Sequence, residues 1–202
     1  MSTTRSTVLA VLLLSAGPGA VAQAPPPPPP SQRVLQDAVT IQAFDERVNQ
    51  YVTLHRFLEG WVPPLRPTQD IAEIQASMRA LGQRIQLLRA NARQGDLITS
   101  DLARIFRRQI SCLSTDDWAA ILDGSADDDE GSVSTGPTPA LRVNIEWPEN
   151  VPFGFMPPQL LAALPQLPPE LQYRIIGNAL VLWDHHANLI VDFLPGAFTA
   201  AS

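Results

Sequence analysis

The stretch LVLWDHHANLIVDF, residues 180–193, places two histidines beside a carboxylate in a chain of 202 residues that has only three histidines in all. Imidazole nitrogens and carboxylate oxygens are common donors to borderline transition metals. Asp184, His185 and His186 are therefore candidate ligands for nickel, cobalt, zinc or copper. A second reading is conformational. Asp and Asn bond to their own nearby backbone, and Asn accepts left-handed geometry, so Asp184 to Asn188 also reads as the turn between two strands. Adjacent strand residues point to opposite faces, so two neighbouring histidines need a ligand from elsewhere to close a site. The third histidine, His55, lies on the apolar stripe of a helical pattern, where a core histidine bonded to a neighbour is the plain expectation. Joining it to the His185-His186 turn requires the two halves of the chain to dock.

Other candidate chemistry is sparser. The sequence contains no G-x-S-x-G, no H-E-x-x-H and no Gly-rich phosphate loop. A hydrolase would have to use a site that no motif announces. Arg104, Arg107 and Arg108 share a helical face opposite Leu102 and Phe106 and could hold an anion such as a phosphate or lipid headgroup. A solvated face paired with Asp101 is the alternative. Asp127 to Glu130 supplies hard oxygens, but the alternating aspartates and turn glycine of a calcium loop are missing. Trp147, Phe153 and Phe155 approach the C-terminal strands as a possible interaction patch, or else as cover for the sheet.

These groups must be positioned by a chain with distinct segments. Residues 1–22 have a short basic start, an apolar run and small residues before Ala22, the pattern of a secretory signal peptide. The apolar run is short of the roughly 20 residues that span a bilayer. Residues 23–30 form a proline-rich spacer, expected to extend as polyproline II. Residues 31–122 read as a helical domain. Ile41, Phe44, Val48, Tyr51 and Leu58 mark one buried stripe; a second runs from Ile71 to Leu88 in a helix starting near Thr68 and stopping at Gly95. A third helix is capped by Ser100, and a short fourth follows from Asp116 to Leu122. Residues 123–139 are an acidic flexible linker. Residues 140–202 read as a small β-meander domain: a strand at 141–147, a short helix at MPPQLLAAL, then three strands with Gly177-Asn178 as the first turn. The fold class is thus α+β, a helical hairpin with one or two shorter helices followed by an antiparallel meander.

Formal net charge is −6 and no lysine is present, which argues against a nucleic-acid partner. Cys112 is the sole cysteine, so no intramolecular disulfide and no Cys-pair zinc module can form. It falls within a helical pattern and is expected to be shielded.

The tail LPPELQYRIIGNALVLWDHHANLIVDFLPGAF resembles the C-terminal segment of the RcnB-like bacterial envelope proteins. Leu167, Pro168, Pro169, Tyr173, Gly177, Leu180, Val181, Leu182, Asp184, Ile190 and Val191 carry the likeness. It implies a periplasmic location and a link to nickel and cobalt homeostasis, while the helical half has no counterpart in that group. The Asp-His-His triplet is also shared with a manganese-binding phosphoesterase family, but none of that family's other aspartate motifs is present. The reading is an exported envelope protein that binds or scaffolds a partner protein. Its alternatives are a periplasmic transition-metal-binding protein and a hydrolase.

Overall fold

A computed structural model describes residues 29–63, 68–123 and 140–199. The signal peptide, most of the proline spacer and nearly all of the acidic linker, with Asp127 to Glu130, lie outside the described residues. The fold is α+β. Among the described residues five helices, α1 (Pro30–Glu59), α2 (Ile71–Leu88), α3 (Ser100–Ile110), α4 (Thr115–Asp123) and α5 (Pro158–Ala163), precede three strands, β1 (Leu171–Ile176), β2 (Ala179–Asp184) and β3 (Leu189–Leu194). The strands form one antiparallel sheet in the order β1-β2-β3. No helix among the described residues is long and apolar enough to cross a membrane.

The helical half and the meander share a core. Phe44, Val48, Tyr51 and Val52 of α1, Leu81 and Ile85 of α2, and Leu102 and Phe106 of α3 join one buried cluster with Tyr173, Ile175, Leu180, Leu182 and Val191 of the sheet. A chain of edge-to-face rings runs through it, Phe44 to Phe106 at 6.0 Å and Phe106 to Tyr173 at 6.1 Å. The opposite face of the sheet is covered by a smaller cluster in which Trp147 meets Val181 and Ile190. With both faces covered, β2 and β3 are buried almost throughout rather than alternately.

Several local expectations need correction. Residues 141–147 do not form a strand. Asn144 takes φ +60°, which breaks the extended run, and only Glu146 forms an isolated bridge, to Leu189. Helix α2 ends at Leu88, not Gly95, because Asn144 intervenes: its Nδ2 donates to the Arg89 carbonyl at 2.6 Å and its Oδ1 accepts from the Arg89 guanidinium at 2.9 Å. The cap of α3 is Thr99, which accepts from the Leu102 amide, one residue earlier than Ser100. Cys112 is exposed, because α3 stops at Ile110 and the cysteine lies in the turn beyond it.

Candidate metal centre

The site is built where the last turns of α1 meet the β2–β3 turn. On α1 the buried residues Phe44, Val48, Tyr51, His55 and Leu58 recur at 3-4 spacing, so His55 faces the sheet with the apolar stripe. Glu59 follows one turn later on the same face, at the solvent edge. The β2–β3 turn is locked by Asp184, whose Oδ1 accepts from the amides of His186 at 3.1 Å and Ala187 at 2.9 Å. Asn188 completes the reversal at φ +50°. Helix α2 fixes the turn from the other side through Gly82, where a Cβ would stand 2.8 Å from the Ala187 carbonyl oxygen. Only glycine permits that approach.

Asp184 is fully buried. Its Oδ2 accepts from the Tyr51 hydroxyl at 2.5 Å and is 2.6 Å from His55 Nδ1. Since this carboxylate takes its other bonds as an acceptor, His55 donates through Nδ1, which places the imidazole lone pair on Nε2. That nitrogen is buried and has no hydrogen-bond partner among the described residues. A buried polar atom without a partner costs about 1–3 kcal/mol. It lies 3.8 Å from Glu59, and Glu59 lies 3.8 Å from His186 Nδ1. One donor atom from each of His55, Glu59 and His186 falls within 4.8 Å of the others. Donors about 2.1 Å from a tetrahedral zinc are about 3.4 Å apart, so a small inward movement makes these three a ligand set.

Burial opposes the His55 imidazolium. The Asp184 hydrogen bond and the charges of Asp184, Glu59 and Glu170 outweigh it, and the pKa is raised above its ordinary value. Burial raises the Tyr51 hydroxyl further, assisted by Asp184, so it stays a donor.

The sequence candidates are distributed differently from their order in the chain. His186 joins His55 and Glu59. Asp184 stands behind His55, its oxygens occupied by protein donors. His185 is engaged elsewhere, with Nε2 2.7 Å from the Pro169 carbonyl oxygen and its amide bonded to the Glu170 carbonyl. Tyr51 was legible only as a core residue and Glu59 not at all, although an i, i+4 His-Glu pair at a helix end was available as a signal. Trp147 is buried and stacks on Phe153 at 5.9 Å; Phe153 in turn packs on Trp183 at 4.8 Å, while Phe155 is half-buried. Arg104 pairs with Asp101, Arg108 with Asp37 at 2.5 Å, and Arg107 reaches the Pro195 carbonyl at 3.4 Å.

A cleft of about 850 Å³ opens beside the three donors, lined among others by Arg56, Glu59, Ser77, Met78, His185 and His186. Arg56 Nε donates to Glu170 Oε1 at 2.5 Å. Compared with protein-family models, curated proteins and solved structures, the chain matches none.

Proposed function

We propose that this chain is an exported envelope protein that binds a divalent transition metal through His55, Glu59 and His186. The observation that carries the reading is the buried Nε2 of His55, which makes no hydrogen bond among the described residues and has a carboxylate and a second imidazole within 4.8 Å. Metal-ligating histidines commonly donate their other ring N–H to a carboxylate, which fixes the tautomer and raises ligand basicity. Asp184 meets that description, so its part is to orient His55 rather than to touch the ion. Two nitrogens and one oxygen suit zinc, nickel, cobalt or copper better than calcium or magnesium. The likeness of the C-terminal segment to RcnB-like envelope proteins agrees with nickel or cobalt.

Calorimetric titration of the chain from residue 23 with nickel, cobalt, zinc and copper tests this. One equivalent should bind, and Glu59→Gln and His186→Ala should each weaken it at least about tenfold, the loss of one ligand bond worth about 1.4 kcal/mol or more. Weak binding indifferent to both substitutions would overturn the proposal.

A protein-binding or scaffold role is a second reading. Its support is the exposed apolar set Val34, Leu35 and Val39 near the start of α1, with Phe57 and Trp61 at its end.

A further inference from the structure

We infer that the His55–Glu59–His186 centre takes its metal together with an anion, a carboxylate or a phosphate, held between the ion and Arg56. This rests on the metal reading above. Three protein donors leave at least one position of a four-coordinate ion for a ligand that the protein does not supply. Two neutral imidazoles and one carboxylate also leave a divalent ion with a net positive charge. The open side faces the cleft, because the donors Glu59 and His186 themselves line its wall. At about 850 Å³ the cleft is far larger than a coordinated water needs and lies within the range of small-molecule sites.

Arg56 supplies the second contact. It follows His55 directly on α1 and lines the same cleft. Its Nε is committed to Glu170, and among the described residues its two terminal nitrogens hydrogen-bond to no protein acceptor. Glu170 thereby anchors the guanidinium by one edge and leaves the other for a guest. Arg is suited to that task because its planar fork matches carboxylate and phosphate oxygens. Ile74, Met78 and Leu81 of α2 contribute apolar surface to the same cleft. Such a surface admits an organic acid or phosphate ester better than a bare inorganic ion.

The test is visible absorption of the cobalt-loaded chain, titrated separately with acetate and with inorganic phosphate. Coordination of either anion should change the cobalt bands in a saturable way. The stronger response names the ligand chemistry. Arg56→Gln should weaken the response at least about tenfold, as expected for the loss of one charge-assisted hydrogen bond. Cobalt bands that neither anion perturbs would overturn this inference alone. An undiminished response in Arg56→Gln would remove Arg56 from it. Failure to acquire cobalt bands before any anion is added would instead overturn the metal reading.

Discussion

Asp184 and Asp192 are both fully buried on the helix-facing side of the same sheet, yet they are satisfied in opposite ways. Among the described residues Asp192 accepts only backbone amides, from Gly95 at 2.9 Å and from Leu97, Ile98 and Phe193 at 2.8 Å each. Amides at these positions neither titrate nor leave a second polar atom to be satisfied, so the polarity ends there and the carboxylate serves to pin the loop before α3. Asp184 takes two amides and then two side chains, Tyr51 and His55. The imidazole passes the polarity onward, since fixing its Nδ1 leaves Nε2 directed at Glu59 and His186. A buried carboxylate thus closes a polar network or extends it according to whether its partners have a second end.

Four outcomes would sharpen or break this contrast. The largest effect is expected at Asp192→Ala, which orphans several buried amides at about 1–3 kcal/mol each. Urea unfolding should show a loss of roughly 3–5 kcal/mol, with metal stoichiometry per folded molecule retained. Loss of metal binding in molecules shown to be folded would break the distinction. Asp184→Asn should cost less, about 1–3 kcal/mol, but should weaken the metal isotherm by about 10–100-fold. An unchanged isotherm would place Asp184 in the same structural class as Asp192.

The third outcome is a pH dependence arising from His55 at the Asp184 corner. Because the pKa of His55 is raised in the folded chain, its protonated form adds stability to the metal-free protein below the ordinary histidine value of about 6.5. That increment is lost as pH rises through the folded value. Metal and proton compete for the same lone pair, so affinity should fall as pH drops through that value, by up to about tenfold per pH unit for one displaced proton. Unfolding midpoints and isotherms on either side of the folded value, compared with His55→Gln, measure both trends. A wild-type profile matching the variant would remove His55 from the site. The smallest effect belongs to His185→Ala. Its Nε2 is spent on the Pro169 carbonyl, so metal affinity should change by less than about threefold, with a stability loss of about 1 kcal/mol or less. A larger drop in affinity would return His185 to the ligand set.

Much of this corner was legible locally. Asp184 and Asn188 announced the turn by their backbone chemistry, and the 3-4 spacing through Tyr51 and His55 announced the buried stripe. Asp192 carried no comparable signal: inside NLIVDF it looks like a polar residue on an open strand face, and only the loop at Gly95 to Ile98 explains its burial. The alternation of LRVNIEW was equally persuasive, yet Asn144 is drawn out of the strand by its exchange with Arg89, a partner 55 positions away in sequence.

The helices, the three-stranded meander and its turns were legible from the residues alone, because those depend on period, proline, glycine and Asx chemistry within a few residues. The tertiary structure decided which histidine of the pair is available. It also decided that Asp184 spends its oxygens on Tyr51, His55 and two amides, and that Glu59 comes within 4.8 Å of the imidazoles of His55 and His186. Those outcomes depend on a helix and a turn more than 120 residues apart being packed to hydrogen-bond distance. No local pattern encodes that proximity; it follows from burying the α1 stripe against the sheet, with Gly82 holding α2 against the turn.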